Sequence, residues 1–268
     1  MFGSKLNYES HFFISGSGIS PRELSGVNSI DIGYQNAANT TNLLGYGNGV
    51  TTIGGPTSQT VSLSRYLIYN DPILDLTGAS DVMKGSFNYD NNASYGFENG
   101  YLTSYSVNCA VGAIPQINTS LSVYDELRSG VNASGGAPQA IYVPSQGSIT
   151  ATCDNTTTNR VIGFDYALEV VRKPYYTIGS ETPIEVKYIP PIIYSASVQI
   201  EVDDVFLESG YSFLTTGKEE KSVSFAVNGR NGTPLQSLTI PKASLISEQL
   251  SASADGSVRL TLNYAGHS

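Results

Sequence analysis

The chain has 268 residues, of which 40% are hydrophobic and only 14% charged, and its 14 Lys and Arg stand against 23 Asp and Glu, a net charge of −9. The length suffices for one or two domains with a sizeable core, and the acidity argues against nucleic acid or an anionic membrane as a gripped partner. No apolar run approaches the ~18 residues of a membrane helix, Met1–Glu9 lacks the apolar stretch of a signal peptide, two cysteines make no disulfide framework, and two histidines leave little imidazole for zinc or acid–base chemistry.

A composition rich in Gly, Tyr and Ser suits short strands and tight turns, so the expected fold is all-β and mainly antiparallel. In chain order the first strand is predicted at His11–Ser15, followed by a Gly/Ser turn, and the second at Val27–Tyr34. A long polar connection, Asn36–Gly55, carries Leu43, Leu44 and Tyr46; a third strand follows at Thr57–Tyr69. Asn70–Gly78 is the one plausible helix of this half, with a capping Asp71, Pro72 at its first position and Gly78 at its stop. Strands near Gly85–Tyr89, Leu102–Val111 and Ile117–Tyr124 complete the half, and the Gly/Ser/Pro stretch 129–138 reads as a linker. The second half repeats the string: strands at Ile141–Val143 and Val161–Val171, a connection Lys173–Ile189 with Tyr175, Tyr176 and Ile178, a strand Ile192–Val202, and a short helix at Asp203–Gly210. Strands at Ser222–Val227, Ser244–Ala252 and Ser257–Tyr264 follow, the last two joined by an Asp-Gly hairpin turn at 254–257.

The correspondence is closer than element order. Val27, Ile30, Asp31 and Ile32 meet Val161, Phe164, Asp165 and Tyr166 at a shift of 134. Ser62, Ser64, Leu67 and Asp71 meet Ser195, Ser197, Ile200 and Asp204 at 133, Ser86-Phe87 meets Ser224-Phe225 at 138, and Leu121 meets Leu260 at 139. Charge is balanced too, five basic and ten acidic residues in 1–134 against nine and thirteen in 135–268. This points to an internal duplication with two tandem β-sandwich or barrel domains, 1–134 and 135–268, each with one short helix.

Catalytic constellations are not apparent. His11 lies in a strand beside Phe12 and Phe13 and reads as structural; Gly45–Gly49 has glycines without the Lys and helix of a phosphate cradle. Asn88, Asp90, Asn92 and Ser94 alternate faintly like a calcium loop, but the glycine and terminal Glu are misplaced. Cys109, in a strand, and Cys153, in a loop, read as free thiols, and Asp203-Asp204 as capping rather than acid and base. Glu201 with Asp203 is the best carboxylate pair for a glycosidase, and nothing sets the two across a cleft. No cofactor, metal or catalytic residue is expected.

The paired strands Val27–Tyr34 and Val161–Val171, the long connections after them, the Asp71 and Asp204 helix starts and the closing strand Ser257–Tyr264 together resemble the tail tube proteins of tailed bacteriophages. The resemblance covers nearly the whole chain and implies the type with two fused tube domains. It implies a non-enzymatic virion protein, made in the host cytoplasm, that self-associates into homotrimeric, pseudo-hexameric rings stacked as the tail tube. DNA would pass through an acidic lumen during ejection without specific binding, no membrane would be involved, and a tape measure, a terminator and a baseplate would be partners. The assembly hairpins would carry Leu43, Leu44, Tyr46, Tyr175, Tyr176 and Ile178. The alternatives are a glycan-binding virion adhesin, whose tyrosines would stack on sugars, and another virion ring, connector or decoration protein of β-sandwich domains.

Overall fold

A computed structural model describes residues 11–35, 38–42, 49–53, 58–90, 93–133, 135, 141–142, 144–153, 156–202, 219–229, 232, 234–252 and 256–268. The chain is almost entirely antiparallel β-structure. The first half contains β1 (His11–Gly16), β2 (Ile19–Glu23), β3 (Val27–Gln35), β4 (Ala38–Asn42), β5 (Gly49–Ile53), β6 (Ser58–Tyr66), β7 (Met83–Asp90), β8 (Ala93–Ala110), β9 (Gln116–Val123) and β10 (Arg128–Ser129). The second contains β11 (Pro144–Cys153), β12 (Thr156–Thr158), β13 (Val161–Tyr175), β14 (Glu185–Glu201), β15 (Lys221–Gly229), β16 (Pro234–Ser251) and β17 (Arg259–His267). Among the described residues fifteen strands form one sheet, and β4 and β5 form a separate two-stranded ribbon.

The strands form where apolar residues alternate with polar ones. On β13, Phe164, Tyr166, Leu168 and Val170 are buried while Asp165 and Glu169 are exposed. On β9, Ile117, Leu121 and Val123 point inward, and Val198 and Ile200 do so on β14. Each such side chain contributes about 1.5–3 kcal/mol by leaving water. In each half a four-strand run and a short run share one long strand, and the two runs face each other across the core. Phe164 of β13 stacks on Phe225 of β15 at 5.3 Å, and Tyr166 Oη donates to the Thr239 carbonyl on β16.

Strand pairing in the two halves is the same. β1 pairs β2 and β7, β7 pairs β8, β8 pairs β9, β9 pairs β6, and β6 pairs β3. β11 pairs β12 and β15, β15 pairs β16, β16 pairs β17, β17 pairs β14, and β14 pairs β13. Irregularities recur in matching places. The β3–β6 register slips between Val27 and Ser29, and the β13–β14 register between Val161 and Gly163. The β7–β8 register slips between Met83 and Gly85, and β15–β16 between Lys221 and Val223. The β8–β9 register slips between Leu102 and Ser104, and β16–β17 between Leu245 and Ser247.

These registers confirm the shift of 134 on β3 and 138 on β7 and correct the other two. The third strand aligns Leu63 with Val198, a shift of 135, and the last aligns Leu121 with Tyr264, a shift of 143. Both sequence offsets erred by an even number, which leaves every side chain on its correct face and so costs nothing in the apolar pattern.

Several boundaries also differ. The strand expected at Ile141–Val143 begins at Pro144; Ile141 and Tyr142 lie outside it, Tyr142 N–H donating to the Ile68 carbonyl. The connection Lys173–Ile189 is largely strand, because β13 and β14 stay paired out to Tyr175 and Glu185 and leave only 176–184 as the turn. Asn36–Gly55 contains the β4–β5 ribbon, whose Thr and Asn residues give no alternation to read. The short helix is a 3₁₀ turn, Pro72–Asp75, capped by the Asp71 side chain and ending at Leu76 rather than at Gly78. Its partner at 203–210 lies outside the described residues. The expected linker is partly packed: Arg128–Ser129 pairs with β8, Val131 and Ala133 are buried, and Ala133 N–H donates to Ser86 Oγ. Cys153 ends β11 instead of lying in a loop.

Candidate assembly surface

Eight strands run side by side in the order β3, β6, β9, β8, β13, β14, β17, β16. The halves are joined inside this run, where Ser104–Ala110 of β8 pairs with Gly163–Glu169 of β13. One face of the run packs on the core. The other is largely polar, with many serines and asparagines and with larger residues such as Tyr66 and Ile193 among them, legible as cross-strand rows. One row reads Ser29, Ser64, Asn118, Ser106, Ala167, Ser195, Ala265, Ser244. The next reads Asp31, Ser62, Ser120, Ser104, Glu169, Ile193, His267, Lys242. A third places Asp165 between Asn108 and Ser197. Asp31, Asp165 and Glu169 are exposed on this face; Glu201 lies opposite Arg259, and Lys242 sits at the far edge. The result is a largely polar, weakly acidic wall spanning both halves, with a hollow of about 620 Å³ beside Asn108, Asp165 and Ser197.

The seam behind the wall is held by Asp71, expected only as a cap, together with Arg65, Tyr105, Gln236 and Arg172, which the sequence reading did not single out. Arg65, on β6, and Asp71, at the turn, are each 1% exposed and meet through Nη2–Oδ2 at 2.5 Å and Nη1–Oδ1 at 3.2 Å. Tyr105 Oη donates to Asp71 Oδ2 at 2.9 Å and Ile73 N–H to Oδ1 at 3.0 Å, so one carboxylate caps the turn and neutralises the guanidinium. The Asp71 N–H in turn donates to Gln236 Oε1 of the second half at 2.8 Å. Burial holds the Tyr105 hydroxyl well above the ordinary tyrosine range and pushes Tyr69 up to about 12. On the other side Arg172 of β13 donates to the Gly78 and Ala79 carbonyls at 2.7 and 2.9 Å. Its guanidinium lies 5.7 Å from the Tyr101 ring centre and 5.5 Å from that of Tyr188, one ring from each half. Both arginines occupy inward positions of alternating strands, the signal that marks a buried, partnered cation.

Of the expected assembly residues, Leu43, Leu44 and Tyr46 lie outside the described residues. The other three lie at the far end of the β13–β14 hairpin: Tyr175 is exposed, flanked by Lys173 and Lys187 Nζ at 5.6 and 5.0 Å, Tyr176 is half-buried, and Ile178 is fully exposed at the turn. Ile184, 67% exposed, stands across the same turn.

The candidates for chemistry are dispersed. His11 Nδ1 donates to Glu23 Oε1 at 2.7 Å across β1 and β2, and Glu201 lies 3.7 Å from Arg160. Asn88 and Asp90 lie on β7 and Ser94 on β8, with Asn92 outside the described residues, as are Asp203 and most of 45–49. Cys109 and Cys153 are not joined, and burial raises the Cys109 thiol. Among the described residues no three His, Cys, Asp or Glu converge as a metal would require, and no helix is long and apolar enough to cross a membrane. The chain matches no family model and no curated protein sequence.

Proposed function

We propose that this chain is a structural virion subunit that self-assembles into stacked rings forming a phage tail tube, each chain supplying two tube domains and three chains closing a pseudo-sixfold ring. The eight-strand wall carries this reading. It spans both halves without a break, and it ends in β3 and in the 244–251 part of β16, whose outer edges have no strand partner among the described residues, while 234–243 of β16 pairs with β15. Open edges of that length are a hazard in a monomer and a joint in an assembly. The wall's chemistry suits a conduit. Its serines and asparagines are uncharged, and Asp31, Asp165 and Glu169 repel phosphate where lysines would hold it by counterion release. The exposed Ile178 and Ile184 at the hairpin turn suit contact with an adjacent ring. Tape-measure, terminator and baseplate proteins would be the partners of such a tube.

Electron microscopy of the purified chain tests the reading. Rings of three chains with six lobes, or tubes stacked from them, are expected. A chain that stays monomeric at its highest soluble concentration overturns it.

A further inference from the structure

The repeated pairing has one unmatched member. β8 pairs β13 within the chain, but their counterparts in the other half, β16 and β3, have no such neighbour among the described residues. The shared irregularities fix the equivalences residue by residue. The slip at Val27/Ser29 matches Val161/Gly163, which equates β3 with β13, and the slip at Leu102/Ser104 matches Leu245/Ser247, which equates β8 with β16. Carrying the β8–β13 register across those equivalences turns Ser104↔Glu169 into Ser247↔Gln35, Val107↔Tyr166 into Leu250↔Ile32, and Asn108↔Asp165 into Ser251↔Asp31.

We propose that β16 of one copy pairs antiparallel with β3 of a second copy in this register, so that the joint between chains repeats the joint between halves. The inference rests on the self-assembly reading and adds its interface. Exposure supports it. Val107, Tyr166 and Phe164 are 0%, 2% and 2% exposed at the internal joint. Their counterparts Leu250, Ile32 and Ile30 lie open: Leu250 is 60% exposed, and the two isoleucines are only half-buried, lining a hollow of about 610 Å³ with Phe12, Phe87 and Tyr95. A neighbouring β16 laid along β3 brings Leu250 opposite Ile32. Glu248, the counterpart of Tyr105, is half-buried with Oε2 lacking a partner among the described residues, and the register sets it opposite the Tyr34 position. Each copy has one β16 edge and one β3 edge, so the contact is head-to-tail and propagates until it closes.

Directly opposite residues of antiparallel strands lie ~4.5–5.5 Å apart at Cα, within disulfide reach. The test is therefore Ile32→Cys with Leu250→Cys in a full-length Cys109→Ala background, oxidised by diamide, which takes up the two thiol hydrogens. The result expected is a non-reducing ladder that ends at three chains, with at least tenfold less product when Glu248→Cys replaces Leu250→Cys and moves the pair two residues out of register. Rings that form but do not cross-link, or that cross-link equally at both positions, overturn the register and leave the assembly reading standing. Absence of any multimer overturns both. Disulfide within single chains overturns the pairing between copies. Leu250→Asp serves as the second variant, since at a 60% exposed site it is expected to leave the fold intact; it is expected to return the protein to monomer mass, and unchanged assembly overturns the joint.

Discussion

Replacing Asp71 by Asn tests the buried seam most sharply. The change is isosteric and keeps an oxygen for the Ile73 N–H, but it leaves the Arg65 guanidinium, 1% exposed, without its counter-charge. Removing one partner of a buried ion pair costs about 3–5 kcal/mol, because a desolvated charge is stranded. That is a large share of a total stability of about 5–15 kcal/mol. With a urea dependence of about 1–3 kcal/mol per molar, the midpoint falls by at least about 1 M. The chain has no Trp and 18 Tyr, so unfolding is followed by tyrosine fluorescence and far-ultraviolet circular dichroism. Repeated in an Arg65→Met background, the same Asp71→Asn change is expected to be neutral or stabilising, since the carboxylate is then the stranded charge. A loss below about 1 kcal/mol in the wild-type background, or an equal loss in both, refutes the electrostatic account of the seam.

Three further outcomes are expected. Burial raises Tyr69 to about 12 in the folded chain against about 10 unfolded, so its contribution is complete below pH 10 and lost as pH climbs toward 12; Tyr69→Phe is expected to flatten the alkaline stability profile by about 1.4 kcal/mol per pH unit in that window, and an unchanged slope contradicts the assignment. Ile178→Ser with Ile184→Ser is expected to leave urea stability within about 0.5 kcal/mol while rings fail to stack under the microscope; tubes of normal length would remove the hairpin from the assembly. Asp165→Lys with Glu169→Lys is expected to make assembled tubes retard DNA on a gel at low salt, an effect that salt abolishes; equal retardation by wild-type tubes would argue against the wall as a conduit surface.

The alternation of Phe164, Tyr166, Leu168 and Val170 with Asp165 and Glu169 made β13 legible, and the Asp71-Pro72 pair announced its turn. The repeat was legible in order and direction but not in register, because offsets that differ by two or four residues bury the same faces. The β4–β5 ribbon and the outer part of the β13–β14 hairpin escaped because their strands are held by each other rather than by a core, and so carry little apolar period. The pairing of β8 with β13 had no local signal, since Ser104–Ala110 alternates like any other strand. The Arg65–Asp71 and Arg172 seams were legible in part: a cation at an inward strand position between Leu63 and Leu67, or after Val170, is a buried charge in search of a partner. Which partner it finds depends on contacts across 93 residues for Arg172 and Ala79, a distance that no pattern in the chain encodes.

The mass of the purified chain in solution, by native mass spectrometry across a concentration series, tests head-to-tail closure most directly. The account predicts a species at three times the 28.5 kDa chain mass, with larger species only at whole multiples of that unit. A concentration-independent monomer, or a closed dimer, would contradict it.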